Sequence, residues 1–402
     1  MNRLFMNKEF ISNLFIFSII TMLFTQLRLF HLPIGIGEIA LLLLGLISTL
    51  ELYQKRKNIM AIFNHIFVFF WFIIFFILLT SYTWVNVMNI HSSDTNVIHD
   101  ILSYGFILYS IMLFLLLKKY YNLNFDLLME RISYYSVLIY AVLLAITYCF
   151  GELLGITLNY ENVARYVGLS ANANQLALMF TVIPFFILYF NKNNVTNLYE
   201  NKYSNIILFI LSIFIVYWIA SRGLNIAIII GCCFIVMYYI YSRFSNRKIL
   251  LLLLLSISIS ISIFVFYNYM DLVKLFFYKG IGGFTHRLEL WGNAIELITF
   301  SPIIGFGPGA HVSTVVDPSH HWEVHNTFLD LLLQVGILGL FTYIFLLYKI
   351  GNNLIKHKQI ILFVAFCALI LFSSVHFVFR HPIFWFYLFY FYQVGKSKSC
   401  VE

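Results

Sequence analysis

A series of apolar runs, each about as long as a membrane helix, extends through most of this sequence. An apolar run of about 18–20 residues can cross the hydrocarbon core of a bilayer as a helix. Twelve such runs lie at 10–29, 34–50, 59–80, 98–117, 132–151, 171–190, 204–220, 222–242, 249–268, 326–348, 359–376 and 382–395. Only 10% of the 402 residues are charged, whereas an ordinary soluble domain is about 25% charged. The sequence therefore excludes a soluble enzyme and predicts an all-α polytopic membrane protein.

The basic residues follow the alternation that twelve spans would impose. With the N-terminus in the cytoplasm, the inner segments hold 18 of the 25 Lys and Arg residues, and cytoplasmic loops are enriched in these residues. The net charge of +8 then reflects orientation and not nucleic-acid binding. The first run has no small-residue cleavage site, so we expect a retained helix. We expect two cytoplasmic termini, one integral membrane domain over 1–402, and one larger outer loop at about 269–325 that contains short helices.

Two arginines interrupt apolar sequence on the predicted outer face, where polar groups at membrane depth are costly and often functional. Arg222 breaks a long apolar stretch, and we expect Ser-Arg-Gly to form the outer turn of a helical hairpin, with Gly223 permitting the reversal. Arg165 precedes Asn172 and Asn174 at the start of the sixth span. Asn172 could cap that helix, or these polar groups could contact a substrate. Alternatively, Arg222 lies at a helix end and only extends its side chain to the membrane–water interface.

A third arginine, Arg287, begins a segment in which apolar residues recur with a helical period. We expect a helix on the outer membrane surface, with Trp291 as an interfacial anchor. A plain surface arginine is the alternative.

Three histidines precede the tenth span, within His320-His321-Trp322-Glu323-Val324-His325. The zinc-protease pattern places Glu directly beside the first His, whereas Glu323 lies two residues from His321 and would face away from it on a helix. No third ligand is evident. We therefore expect no metal and no cofactor, and a histidine that transfers a proton or donates a hydrogen bond.

Glycines mark two further outer features. The loop Pro302-Ile-Ile-Gly305-Phe-Gly307-Pro308-Gly309 follows no strand, so a tight re-entrant loop is favoured over a phosphate-binding loop. In the tenth span Asp330 and Gln334 share one face, which should not contact lipid, and Gly336 and Gly339 would allow close helix packing. His376 and Arg380 in the last outer turn are interpreted as interfacial anchors.

Together these residues indicate a type of chemistry. Three arginines supply fixed, always charged, bidentate donors for a phosphate group, and a nearby histidine suits general-base work on a hydroxyl. ATP and nucleotide sugars are absent outside a bacterial inner membrane, so the energy for synthesis must come with a lipid-linked donor. This points to transfer of a group from a polyprenyl diphosphate.

The order of these motifs resembles that of the O-antigen ligase and O-antigen polymerase superfamily, the bacterial membrane glycosyltransferases of surface polysaccharide assembly. The family signature is His-Asn, nine residues, and Gly-x-x-Gly. This sequence fits it in full, with His325-Asn326 followed after nine residues by Gly336 and, two residues further, by Gly339. The similarity covers roughly 165–340. The remaining matches, in family order, are Arg165, Gly168, Asn172, Asn174 and Ala177; Arg222 in Ser-Arg-Gly; Arg287 and Trp291; and Pro302, Gly305, Gly307 and Gly309.

The resemblance implies a metal-independent, GT-C-like fold and an undecaprenyl diphosphate-linked oligosaccharide as donor. Arg222 and Arg287, with Arg165, would hold the diphosphate and stabilise the charge that grows on it. His325 would position or deprotonate the acceptor hydroxyl, and Asn326 would orient it. His320 and His321 leave the identity of the base open.

Three functions remain open from sequence, and the acceptor separates the first two. An O-antigen polymerase joins lipid-linked repeat units in lipopolysaccharide biosynthesis, and this is the favoured hypothesis. An O-antigen ligase passes the glycan to lipid A-core. A lipid-linked sugar flippase is disfavoured, because transporters place polar groups at the bilayer midplane and often show repeats. Substrate contacts are expected from Asn172, Asn174, His321 and Asn326, and the partners are the lipid-linked glycan, the acceptor glycan and a possible chain-length regulator.

Overall fold

A computed structural model describes residues 7–27, 34–87, 94–153, 156–159, 165–193, 202–243, 281–313 and 322–397. Within these ranges the chain is mainly helical, with two short strands, β1 (Glu152–Leu153) and β2 (Ile156–Thr157), paired antiparallel. The helices are α1 (Lys8–Thr21), α2 (Ile36–Gln54), α3 (Ile66–Val87), α4 (Asp94–Tyr121), α5 (Phe125–Phe150), α6 (Ala173–Phe180), α7 (Ile183–Asn193), α8 (Lys202–Ile219), α9 (Arg222–Arg243), α10 (Ile281–Ile298), α11 (Thr327–Lys356), α12 (Ile360–Ser373) and α13 (Pro382–Ser397). Short 3-10 helices lie at Thr25–Leu27 and Ile59–Ile62.

The apolar helices confirm a multi-pass membrane protein. Seven helices of the described ranges are long and apolar enough to cross a bilayer, and two shorter apolar helices accompany them at Tyr203–Ile219 and Ile360–Ser373. The seven are Ile36–Gln54, Ile66–Val87, Val97–Tyr121, Phe125–Phe150, Ala173–Lys192, Arg222–Ser242 and Thr327–Lys356. The predicted run at 249–268 lies outside the described residues, so the count of twelve stays a prediction.

The interior of the bundle is built from aromatic side chains around α13. Every residue from 383 to 391 is fully buried, although this was the shortest of the predicted spans. Trp385 packs against Trp71 and Phe379, with ring centroids 4.8 and 5.0 Å apart. Lipid tails are as apolar as these side chains, so close packing rather than water exclusion holds such helices together. The aromatic side chains of α13 and its neighbours therefore fill the protein interior.

Helices α2, α4, α6, α9, α11 and α13 all begin at one end of the bundle, which we name the site end. At the opposite end, polar side chains join neighbouring helices. The Tyr390 hydroxyl donates to Asp126 Oδ1 at 2.8 Å, and the Tyr121 hydroxyl donates to Glu51 Oε2 at 2.7 Å. These hydrogen bonds hold neighbouring helix ends together at the end of the bundle opposite the site end.

Helix α11 is broken at Gly336, whose backbone has φ 60° and ψ −165°. This conformation is open essentially only to glycine. The glycine-rich loop bonds to the groups that the break exposes: the Gly307 N–H donates to the Gln334 carbonyl at 2.8 Å, and the Ile337 N–H donates to the Pro302 carbonyl at 2.9 Å. Irregular backbone at membrane depth requires such internal partners. The loop is tight, as the sequence predicted, and its re-entry into the membrane stays a prediction. Gly336 allows the break in α11 rather than the helix packing that the sequence predicted.

Candidate functional site at the site end

The site is built first from Arg165, which lies across the end of α8. Its Nε donates to the Ile219 carbonyl at 3.4 Å, and its Nη2 donates to Asn174 Oδ1 at 3.2 Å. The same oxygen accepts from the Ser221 hydroxyl at 3.3 Å. Because the last carbonyls of a helix have no partner within it, the arginine also completes the end of α8. Asn174 thus ties Arg165 to the residue before Arg222.

The amide Asn172 caps α6, as the sequence predicted. Its backbone is extended and its Oδ1 accepts from the Asn174 N–H at 2.8 Å. A cap of this kind stabilises a helix start by about 1 kcal/mol. Its consequence here is to hold Asn174 in the first turn, facing Arg165. Whether either amide contacts a substrate stays a prediction.

Arg222 is the first residue of α9, at a helical hairpin with α8. The chain reverses at Ala220, which has φ 51°, and Gly223 already lies inside α9. The predicted hairpin is confirmed, but the assignment of the reversal to Gly223 is wrong. A Cβ on Gly223 would lie 2.6 Å from Val375 Cγ2 and 3.3 Å from His376 Nε2. Glycine is needed there because the turn between α12 and α13 packs directly against α9.

Arg287 lies in the second turn of α10 and is half-buried. Burial lowers the pKa of its guanidinium, and the charge of Arg222 lowers this pKa further. The two cations are therefore near neighbours, although 65 residues separate them in sequence. Neighbouring arginines repel each other, so this arrangement favours an anion between them.

The predicted helix around Arg287 is present, but Trp291 faces the protein. Its indole N–H donates to the Val324 carbonyl at 3.0 Å. Trp291 packs against a small cluster that includes the fully buried Leu290 and Ala294. The interpretation of Trp291 as an interfacial anchor is therefore wrong. The indole instead joins α10 to the segment that carries His325.

His325 lies two residues before α11 with φ 56°, a left-handed conformation that few side chains adopt. The fully buried carboxylate of Asp330 holds the backbone on both sides of it. Asp330 Oδ1 accepts from the Val324 N–H at 3.1 Å, and Oδ2 accepts from the Asn326 N–H at 3.4 Å. The sequence predicted that Asp330 avoids lipid, which is confirmed, but it did not predict this contact with the histidine loop.

The surroundings of His325 keep its imidazole neutral. Burial lowers its pKa to about 4, and the charges of Arg287 and then His286 contribute. The ring is therefore neutral at pH 7 and can accept a proton.

Asn326 caps α11, with Oδ1 accepting from the Phe328 N–H at 3.0 Å and from the Leu329 N–H at 3.3 Å. Its oxygen is committed to the helix, so a contact with the acceptor would use the amide nitrogen. The predicted contact His321, together with His320, lies outside the described residues.

His376 belongs to the same group of cations and imidazoles. Burial takes its pKa well below the usual range, and the charges of Arg287, His325 and Arg165 contribute. The interpretation of His376 as an interfacial anchor is wrong, because its side chain is 5% exposed. No sequence motif marks it; only the packing of the α12–α13 turn against α9 brings it here. We name Arg165, Arg222, Arg287, His325 and His376 the cationic cluster.

A fourth arginine, Arg380, lies among carboxylates. Its Nη1 lies 2.5 Å from Asp100 Oδ1, and its Nη2 contacts Glu323 Oε1. Asp100 is fully buried, and its other oxygen accepts from the Gly309 N–H at 2.8 Å. Arg380 is therefore not the predicted interfacial anchor but an ionic link between α4, the glycine-rich loop and the histidine segment.

The N–H groups of the glycine-rich loop are used within the protein. The Gly305 N–H donates to the Ser301 carbonyl at 3.0 Å, and the Gly309 N–H donates to Asp100. A phosphate-binding loop needs free N–H groups that converge on the ligand. The geometry therefore agrees with the sequence argument against a nucleotide loop.

Comparison with known families is consistent with this geometry. Residues 207–344 match the family model described as O-antigen ligase. The match contains Arg222, Arg287 and His325, whereas Arg165 and His376 lie outside it. No individual curated protein matches the sequence.

Proposed function

The chain belongs to the O-antigen polymerase and ligase superfamily, and on this premise we propose that it is a glycosyltransferase whose donor is an undecaprenyl diphosphate-linked oligosaccharide. The family acts on lipid-linked glycans. The observation that carries the proposal is the cationic cluster at one end of a membrane bundle. The charge of Arg222 acts on Arg287, and that of Arg287 acts on the neutral His325. The charges of Arg287 and Arg165 act on His376.

The arginines would hold the donor and stabilise the leaving group. Arg222 and Arg287, with Arg165, would donate hydrogen bonds to the diphosphate oxygens. As the bond between the sugar C1 and the diphosphate oxygen breaks, negative charge grows on the diphosphate. Fixed cations in a site of low polarity stabilise such a charge strongly.

His325 would act on the acceptor. The acceptor hydroxyl oxygen forms the new bond to the donor sugar C1, its proton passes to the neutral imidazole, and undecaprenyl diphosphate leaves with the bonding electron pair. Asp330 would keep the imidazole in place through the backbone on either side. Asn326 and Asn174 would supply amide donors near the reacting groups.

We propose that the site end faces the periplasm of a bacterial inner membrane and that both termini are cytoplasmic. The distribution of basic residues supports this orientation. Nucleotide sugars are absent from that compartment, which agrees with a donor that carries its own activated diphosphate.

Within this class, we propose an O-antigen polymerase, which moves the growing glycan onto the next lipid-linked repeat unit. The ligase is the second candidate, because the matching family model is described as O-antigen ligase. In a ligase the same donor chemistry would transfer the glycan to lipid A-core.

Lipopolysaccharide profiles of a deletion strain separate the two. A polymerase deletion is expected to lose the ladder and keep one repeat unit on the core. Complete absence of glycan on the core, with polymer left on the carrier lipid, would show a ligase. Complementation with the wild-type chain should restore the ladder and Arg287→Ala should not, whereas a normal ladder in the deletion strain would refute both functions.

A further inference from the structure

One large aromatic side chain at the site end has no part in the proposed mechanism. Trp322 lies three residues before His325 and is 38% exposed. A tryptophan near a membrane surface commonly anchors a protein at the level of the lipid headgroups. The backbone and the neighbours of Trp322 favour a different use.

The backbone around Trp322 is fixed by hydrogen bonds. The Trp322 N–H donates to the Val312 carbonyl at 2.7 Å, and the Val312 N–H donates to the Trp322 carbonyl at 3.0 Å. Two residues further, the Val324 carbonyl accepts from the Trp291 indole at 3.0 Å. Val312 and Val324 are themselves fully buried in one apolar cluster with residues of α10. Trp322 is therefore held in place relative to His325 before a ligand binds, and a preorganised contact loses less entropy on binding.

The indole of Trp322 lies on the α10 side of the cationic cluster. It packs against the imidazole of His286, with ring centroids 5.7 Å apart and the ring planes at 89°. Arg287 follows His286 in the chain, and the charges of both residues act on His325. A single edge-to-face contact covers at most one face of an indole, which agrees with the exposure of Trp322. The indole thus contacts the residue next to the arginine that would hold the donor diphosphate.

A second exposed tryptophan, Trp84, shows how a lipid-facing indole of this protein is surrounded. It is 45% exposed near the site end of α3, and the same side of this helix exposes Phe76 and Val87. A helix presents such an apolar face to lipid. The Trp322 indole instead contacts the imidazole of His286, and an ion-paired glutamate follows Trp322 in the chain. Contact with lipid would desolvate these polar groups, whereas a polar ligand could bind them.

The chemistry of a sugar ring matches an exposed indole. A pyranose ring presents C–H groups on its face, and its hydroxyls project around the edge. The C–H face gains dispersion energy from a flat aromatic surface, and tryptophan buries a large area in such contacts. The hydroxyls at the edge can then form hydrogen bonds with neighbouring polar groups and water.

We propose that Trp322 is a sugar-binding platform on which the first sugar of the donor stacks. The inference rests on the proposed function and adds to it a residue that recognises the glycan. The first sugar is bonded directly to the diphosphate, so it lies beside whatever holds that group. Trp322 therefore selects donors by their sugar, whereas the arginines select the diphosphate.

Steady-state kinetics test the platform through the KM for the donor. Trp322→Ala should raise this KM about tenfold, as removal of one stacking aromatic side chain commonly does. A contact made equally in the ground state and the transition state changes KM and leaves kcat unaltered. Trp322→Phe keeps an aromatic face and should recover most of the loss. Trp84→Ala, at the same end of the bundle, is the control. A wild-type KM in Trp322→Ala, or an equal rise in Trp84→Ala, would overturn the proposal.

Native mass spectrometry of the purified full chain separates recognition of the sugar from recognition of the lipid. The two probes are undecaprenyl diphosphate and the undecaprenyl diphosphate-linked oligosaccharide isolated from the deletion strain. Trp322→Ala should weaken binding of the oligosaccharide probe about tenfold and leave binding of the bare carrier unchanged. Arg287→Ala should weaken binding of both probes. Equal weakening of both by Trp322→Ala would show an interfacial anchor and refute the platform.

The same samples distinguish failure of the inference from failure of the proposed function. Sugar transfer by the wild type, with both probes bound normally by Trp322→Ala, would refute the platform and keep the glycosyltransferase. A preference for the oligosaccharide probe that depends on Trp322, in a protein that transfers no sugar, would keep the sugar site and refute the glycosyltransferase.

Discussion

Two arginine regions lie at the same end of this bundle and differ in what surrounds them. Arg380 is held between the carboxylates of Asp100 and Glu323. Arg287 instead lies beside Arg222, and this neighbour, together with burial, lowers its pKa. In the first region a positive charge is neutralised within the protein. In the second, positive charges are gathered against their mutual repulsion.

This difference separates a structural use of arginine from a binding use. A buried ion pair is costly to break, because removal of one partner leaves the other charge without compensation. Arg287 and Arg222 repel each other, and an anion bound between them would relieve that repulsion. Substitution of Arg380 should therefore lower stability, whereas substitution of Arg287 should lower activity and keep the fold.

Arg380→Ala should have the largest effect, and it should be on stability. Removal of one partner from a buried pair costs about 3–5 kcal/mol, and Asp100 would stay fully buried. We expect a lower melting temperature in detergent and reduced abundance in the membrane. Arg131→Ala, at the opposite end of the bundle, is the control. A wild-type melting temperature for Arg380→Ala would contradict the structural role.

Arg287→Ala should remove activity and keep the fold. Loss of one donor to a developing oxyanion lowers the rate about 10²–10³-fold. We expect loss of chain extension with unchanged membrane level and melting temperature, and the same for Arg222→Ala and His325→Ala. Arg222→Lys should also be poor, because an ammonium lacks the planar fork of a guanidinium. If Arg287→Ala lowered the melting temperature, Arg287 would have a structural role like that of Arg380, and the proposed difference between the two regions would be wrong.

A substitution at Asn174 can give Arg165 a neighbouring carboxylate, as Arg380 already has. Asn174→Ala removes the acceptor of the Arg165 Nη2 hydrogen bond and should lower kcat/KM about tenfold, since bonds to charged groups contribute about 1.5–3 kcal/mol. Asn174→Asp should be less active still, because its carboxylate would neutralise Arg165 as Asp100 neutralises Arg380. Steady-state kinetics with lipid-linked donor and a melting curve measure the two effects. Higher activity of the Asp variant would contradict a role of the Arg165 charge in holding the diphosphate.

The smallest effect is on pH dependence. The pKa of His325 is lowered to about 4, so its base form persists under mild acid. We expect kcat/KM to stay level from pH 7 to about 5 and to fall below that, whereas an ordinary histidine would lose its base form from about 6.5 downward. The unfolded chain binds more protons between about pH 4 and 6.5, so His325 should lower stability as pH falls through that window.

Reaction with diethyl pyrocarbonate, mapped by mass spectrometry at His325, checks this pKa without turnover. Arg287→Gln removes a cation that opposes protonation, so the half-maximal pH of modification should rise. Burial is the larger cause, so the value should stay below 6.5. Arg131→Gln, at the opposite end of the bundle, should leave it unchanged. A half-maximal pH near 6.5 in the wild type would contradict the buried, cation-flanked position.

Several features of the fold and site could be predicted because they depend on neighbours along the chain. The cap at Asn172, the hairpin at Arg222 and the tight glycine-rich loop before α11 each follow from local patterns, and all three are present. The predictions that were wrong concern which segments a side chain packs against. Trp291 was expected to face lipid, and His376 was expected at the interface. Both face the protein, because α10 and the α12–α13 turn pack onto segments distant in sequence.

By itself, the sequence determined that this protein spans a membrane repeatedly and that its arginines and a histidine follow the order of a glycosyltransferase family. Hydropathy and residue order are local properties, and so they can be read from the chain. The tertiary structure decided which arginines share a site and which one is neutralised by Asp100 and Glu323. It also decided that Asp330 holds the His325 loop. Charge and burial at a site depend on residues brought together across the whole chain, and no single segment specifies them.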